Sequence, residues 1–175
     1  MPVRDILTIP DPRLRRRSAT VASVDDDIRK LADDMLHTIY DWRAAGLAAV
    51  QIGVPKRVVA IDLSRDEHNR TPLVFVNPVI LETSSDQTPF QEGCLSVPGV
   101  LASVKRPSNV VVTFTDLEGR TQVIRAEGLL ATCLQHEIDH LDGILFFDHL
   151  SPKDREDILE RAARVPAGWR PPGAE

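Results

Sequence analysis

Residues 135–140, Gln135-His136-Glu137-Ile138-Asp139-His140, contain the pattern His-Glu-x-x-His. Histidines four residues apart fall one turn apart on the same face of a helix, so both imidazoles can reach a single ion. Glu137 projects from the adjoining stripe, where a carboxylate can approach a water activated by that ion. The chemistry suggested is metal-assisted hydrolysis. The competing reading is a pair of histidines satisfied inside a buried helix.

A catalytic site of this kind usually has three protein ligands and one open position. A metzincin-type protease would place a third histidine six residues after His140, but that residue is Phe146. A protease with a downstream glutamate ligand could use Glu156 or Glu160, and by spacing alone this stays open. Of the two cysteines, Cys133 precedes His136 on nearly the same face. The ion would sit between the turns of residues 136 and 140, roughly 7 Å or more along the axis at about 1.5 Å per residue, too far for a cysteine. Cys133 is read instead as a small apolar residue lining the same pocket. Cys94 lies on a separate element beside Gly93, can complete the site from the side, and is the best third ligand available. Glu92 and Asp139 are candidates to hold the outer N–H of a ligating imidazole, since such histidines usually have a partner there.

These residues need elements to position them. Residues 127–141 read as the metal helix, with Leu130, Leu134, Ile138 and Leu141 opposite the histidines and Gly143 as a stop. A helix over residues 23–43 is started by Asp25, Asp26 and Asp27 and carries the stripe Ile28, Leu31, Met35, Ile39 and Trp42. Residues 57–63 read as a buried strand, and 73–81 as a second one interrupted or bent at Pro78. Runs 109–116 and 121–126 flank Leu117-Glu118-Gly119-Arg120 and read as a hairpin. Residues 89–99 are a bent stretch punctuated by Gly and Pro, and residues 2–22 an extended segment that wraps the core. Ser151-Pro152 starts a last helix reaching Arg164.

Bulk properties narrow the class. A chain of 175 residues, 42% hydrophobic and 27% charged, suits one folded domain over 1–165, with 166–175 a flexible Pro/Gly-rich tail. A net charge of −5 gives no basic footprint for direct DNA binding. The cluster Arg13-Leu14-Arg15-Arg16-Arg17 is read as a solvated loop making ion pairs, against the alternative of an acidic or nucleic-acid partner. No run approaches the roughly 18 apolar residues of a membrane span. Two cysteines and the absence of a signal-peptide pattern point to the cytoplasm.

Three stretches taken together resemble the peptide deformylase family. Its motifs, Gly-x-Gly-x-Ala-Ala-x-Gln, Glu-Gly-Cys-x-Ser and Gln-His-Glu-x-x-His, correspond in order and spacing to residues 44–51, 92–96 and 135–140. Ala44 stands where the first motif has Gly, and Val50 where Pro is common. If the family's Gly is left-handed, Ala44 costs on the order of 1 kcal/mol or shifts the loop. The resemblance implies Cys94, His136 and His140 as ligands of one ion per chain, Fe(II) with Zn(II) as the substitute, and Glu137 as acid and base. It implies Gln51 and the Leu95 N–H as oxyanion stabilisers, and Gly46 as a backbone contact to substrate. The activity implied is removal of the formyl group from the N-terminal formyl-methionine of nascent chains.

Methionine selectivity would need an apolar pocket, and Ala45, Leu129 and Cys133 are its expected wall, residues 129 and 133 sharing the ligand-bearing face of the helix. The resemblance also invites a ribosome-binding reading of the C-terminal helix. Here residues 151–175 hold five basic and five acidic residues, which fits a solvated cap better than a basic anchor. The expected fold is α+β, with mixed or antiparallel sheets packed around a central metal-binding helix and a C-terminal helix. Two other readings are a zinc endopeptidase using Glu156 or Glu160, and an inactive, metal-binding ribosome-interaction module.

Overall fold

The computed structural model describes residues 2–64 and 68–174. The metal helix is α2, Gly128–Leu141, and the chain packs around it. A five-stranded antiparallel sheet has the order β1 (Gly46–Ala48), β2 (Val58–Ile61), β3 (Leu73–Thr83), β6 (Asn109–Thr115), β7 (Thr121–Glu127). One face of it packs on α2 through Val59, Ile61, Phe75, Val112, Leu134, Ile138 and Leu141. The other face, through Leu47, Val58, Ala60 and Val76, meets Ile28, Met35 and Ile39 of α1 (Asp26–Asp41). β2 is covered on both faces, which is why its sequence is an unbroken apolar run. Fold and sequence agree on α+β with antiparallel sheets and a C-terminal helix, α3, Pro152–Ala163.

α1 starts later than the pattern of residues 23–43 predicts. The Asp25 carboxylate accepts the N–H of Ile28 and fixes the first turn, leaving Ser23 outside. Pro78 does not end its strand. β3 runs to Thr83, with its pairing to β6 shifted between Val76 and Val79, and Asn77 at φ 52 absorbs the irregularity.

The larger difference lies at residues 87–107. The bent stretch is part of a long two-stranded hairpin, β4 (Gln87–Cys94) and β5 (Val97–Pro107). The inward positions of β5 at Val100, Ala102, Val104 and Arg106 fall at every second residue. Pro98 and Gly99 interrupt the run after Val97, the apolar Leu101 faces outward and the charged Arg106 inward, so the apolar/polar alternation is blurred. This hairpin, with Phe146, Phe147 and Ile158, forms a third apolar cluster.

The N-terminal segment wraps the core as expected. Arg4 pairs with Asp34 on α1 at 3.3 Å. The Leu7 and Ile9 N–H groups then donate to the backbone oxygens of Gln51 and Ser96, at 2.7 and 2.9 Å.

Candidate metal centre

His136 and His140 lie one turn apart on α2, their ring centroids 5.1 Å apart, and both are buried. Cys94 is the last residue of β4 and enters from the hairpin. The donor atoms of Cys94, His136 and His140 all fall within 4.8 Å of one another, with Cys94 Sγ 3.2 Å from His140 Nε2. Glu156 and Glu160, the ligands a zinc endopeptidase would need, are exposed on α3, and Glu160 pairs with Arg164. Phe146, where a metzincin histidine would stand, stacks on the His136 ring instead.

The surroundings of the two histidines differ. His136 Nδ1 is 2.8 Å from Glu92 Oε2; an ionised Glu92 can only accept, so Nδ1 carries a proton and Nε2 is the nitrogen turned toward the other donors. Burial alone would raise the Glu92 pKa, but hydrogen bonds from His136 and Arg106 hold it below the usual value. Burial alone would also keep His136 neutral. Cys94, Glu92 and Glu137 outweigh that and draw positive charge to the spot. His140 is held neutral by burial and by the charges of His136 and Arg106.

The donor set fits a divalent ion. A thiol and two imidazoles, one oriented by a carboxylate, converge where the buried anions call for a cation. Burial pushes the Cys133 thiol up to about 12, with Glu137 and Glu92 adding to the shift, so Cys133 stays a neutral thiol lining the cavity.

Arg106 organises the rear of the site, and the sequence alone does not reveal it. Its buried guanidinium grips Glu92 in two bonds of 2.6 and 3.0 Å and reaches Asp139 at 2.8 Å. Asp139 corrects an expectation: its Oδ2 faces Arg106 and His149, not a ligating imidazole. It follows Ile138 and precedes His140, and one residue is about 100° around a helix, which turns its side chain away from the ligand face. The clue to Arg106 would have been the inward register of β5, Val100, Ala102, Val104 and Arg106, which a charged residue on the inner face and Leu101 on the outer one conceal.

Glu137 points toward β1. A Cβ on Gly46 would lie 2.9 Å from Glu137 Oε1, so this strand position must be glycine for the carboxylate to sit where it does. Burial raises the Glu137 pKa to about 7, partly offset by His136, and its Oε2 has no hydrogen-bond partner among the described residues. Gln51 lies in a short 3-10 turn, Ala49–Ile52, directly after β1. Its Oε1 accepts the Ala48 N–H at 2.8 Å, which fixes the amide so that Nε2 donates to Ser96 Oγ at 3.0 Å and lies 3.5 Å from Cys94 Sγ. Leu95 occupies the turn between β4 and β5, next to Cys94.

Ala44 is not left-handed; Arg43 at φ 50 and Asn77 are the only described non-glycine residues that are, so the missing glycine brings no backbone strain. Val50 is buried against the core beneath α2.

A cavity of about 490 Å³ opens over Cys94, His136, Glu137 and Gln51. Ala45, Gly46, Leu129 and Cys133, the residues expected around the substrate, all line it. It has further walls in Phe90 and Leu101 of the hairpin and in Trp169, Pro171 and Pro172, which the sequence had placed outside any site.

A buried His-Glu-x-x-His helix, completed by a cysteine from an adjoining hairpin and facing a cavity, defines the class of single-metal hydrolases. The polypeptide deformylase family matches residues 3–156. The chain is 48% identical over 165 residues to a peptide deformylase of Rhizobium meliloti, covering 94% of this chain and 95% of that one. Its structure is similar to that of the Ehrlichia chaffeensis peptide deformylase (TM-score 0.87, 39% identity, 93% and 96% of the two chains). It is similar also to the Synechococcus elongatus enzyme solved in complex with actinonin (TM-score 0.88, 40% identity, 98% and 94%). The chain belongs to the polypeptide deformylase family.

Proposed function

We propose that this hydrolase removes the formyl group from the N-terminal methionine of nascent chains with Cys94, His136 and His140 holding a single metal ion. The observation that carries the reading is the convergence of these three donors beside Glu137, at the floor of one cavity. One thiolate and two imidazoles suit Fe(II) and Zn(II) alike; Fe(II) is preferred on the family resemblance. When bound, the ion supplies positive charge that acidifies water and polarises the formyl oxygen.

The chain's own groups do the rest. Glu137, buried and with a pKa raised toward neutrality, takes a proton from the attacking water and returns it to the departing amine. Gln51 Nε2, held in orientation by Ala48 and Ser96, meets the charge that develops on the formyl oxygen, together with the Leu95 N–H. Gly46 gives substrate backbone and the Glu137 carboxylate room to approach one another. The products are formate and a free N-terminal amine.

The test is formate release from a formyl-methionyl peptide by anaerobically purified protein, with metal content measured on the same sample. Turnover that disappears together with the metal in Cys94→Ala supports the assignment; metal retained in that variant overturns it. Full occupancy without formate points to an inactive descendant.

Location in the cytoplasm belongs to the same proposal, since nascent formylated chains are made there; no helix among the described residues is long and apolar enough to cross a membrane. Docking on the ribosome through α3 would rest on an exposed face where Lys153, Arg161 and Arg164 alternate with Asp154, Glu156, Asp157 and Glu160. Co-sedimentation with ribosomes that survives removal of residues 151–175 counts against that helix as the anchor.

A further inference from the structure

The segment after α3 crosses the mouth of the cavity. Beyond the helix, Val165 packs on Gly99 of β5, where an added Cβ would come within 2.6 Å of the valine Cγ2. Eight residues on, Gly173 lies against the Arg43 guanidinium, just before Ala44 and Ala45. Gly99 lines one side of the cavity, Ala44 and Ala45 line another, and Trp169, Pro171 and Pro172 lie between the two anchor points and face the same space.

Three features hold this strap. Arg170 forms an ion pair with Asp41 and lies over the Trp42 ring, 4.4 Å from its centroid. Two turns are closed by backbone bonds, Trp169 N–H to Pro166 O at 3.2 Å and Ala174 N–H to Pro171 O at 3.1 Å. Prolines at 166, 171 and 172 restrict φ, so little further backbone entropy is lost when the strap settles. A segment of this composition can therefore stay in place with few contacts.

Its position decides what it can do. The floor, with the ligands and Glu137, handles the formyl group, and the methionine follows it into the apolar wall beside Leu129 and Cys133. Trp169, Pro171 and Pro172 line the same cavity apart from those groups, which leaves them for the part of the peptide that follows. We infer that Trp169, with Pro171 and Pro172, is the recognition wall for the residues that follow the formyl-methionine, favouring apolar side chains there, and that Arg170 positions this wall. The inference rests on the deformylase reading above.

Initial rates would be compared for formyl-methionine amide, too short to reach the strap, and for formyl-Met-Leu-Leu and formyl-Met-Ser-Ser. Trp169→Ala is expected to raise KM for formyl-Met-Leu-Leu about tenfold, the scale of one lost apolar contact, with kcat within about twofold. Formyl-methionine amide should change less than about twofold, and the preference for Leu-Leu over Ser-Ser should collapse. Trp169→Phe should restore most of the preference, and Arg170→Ala should give a weaker version of the alanine phenotype. Equal losses on all three substrates would reduce Trp169 to a structural role and overturn the inference. So would a rise in kcat/KM in Trp169→Ala, which would make the strap a barrier. Calorimetric titration with the product Met-Leu-Leu gives an independent readout, with affinity expected to fall about tenfold in Trp169→Ala. Protein that binds Met-Leu-Leu through Trp169 and yet releases no formate would overturn the deformylase reading and leave the wall standing. Unchanged affinity in Trp169→Ala would do the reverse.

Discussion

The two ends of the cavity are built on different principles. At the floor, position is set by directional bonds: Glu92 aims His136, Arg106 holds Glu92, and Ser96 with Ala48 fixes the Gln51 amide. At the mouth, Leu101, Leu129, Trp169 and the prolines contribute shape and apolar surface. The floor can tolerate little displacement, because reacting atoms must meet within tenths of an ångström. The mouth needs only complementary surface, so elements distant in sequence can supply it. Substitutions at the floor should therefore reduce turnover, and those at the mouth should change which peptide is preferred.

The largest effect expected is at Glu137. Glu137→Gln should keep the metal and lose about 10³-fold in kcat. The carboxylate works as a base only when ionised, and burial raises its pKa to about 7 before the charge of an ion is counted; an ion pulls it lower. Activity should then fall as pH drops below about 7, and a limb centred well above that value would break the assignment. Metal lost from the variant would break it too.

Arg106→Leu comes next. It leaves Glu92 and Asp139 without their shared cation, and removing one partner of a buried pair costs about 3 kcal/mol, or two decades in the folding equilibrium. Chemical denaturation measures it directly. A loss below about 1 kcal/mol would mean that the rear network is not what stiffens the floor.

At Gly46→Ala the new methyl would displace the Glu137 carboxylate, and kcat should drop by roughly 30-fold with metal content unchanged. Turnover near wild type would show that Glu137 has slack and that the floor tolerates displacement as the mouth does. The smallest effect expected is at the mouth. Leu129→Trp should shift the preference between formyl-Met and formyl-Ala peptides by about tenfold while leaving kcat on the better substrate within a few-fold. An unchanged preference would remove Leu129 from the methionine wall.

The same division governs what could be read from the sequence. The floor was legible because its donors have fixed chemistry and local spacing: His136, Glu137 and His140 announce one helical face, and Cys94 was the only thiol not ruled out by distance along that helix. The fold class followed from strands and helices with clear periodicity, including the hairpin β6–β7. The β4–β5 hairpin is hidden because its alternation is broken by Pro98 and Gly99, by Leu101 facing outward and by the charged Arg106 facing inward, and Arg106 is hidden with it. Asp139 was assigned by proximity in sequence, whereas its partners Arg106 and His149 depend on how the hairpin docks on α2. Trp169 had no chance of being found, since nothing in a Pro/Gly-rich run says which surface it will lie on. Directional chemistry leaves a local signature, and apolar complementarity between remote segments leaves none.

The N-terminal segment carries one more implication, for how the floor could be watched. The amides of Leu7 and Ile9 are tied to the backbone carbonyls of Gln51 and of Ser96, the residue whose hydroxyl accepts from the Gln51 amide. Their protons can exchange with solvent only when that segment lifts away from both elements. Two backbone signals, read by hydrogen–deuterium exchange in the resting protein, therefore report on the integrity of the site with no substrate present and no label near the chemistry.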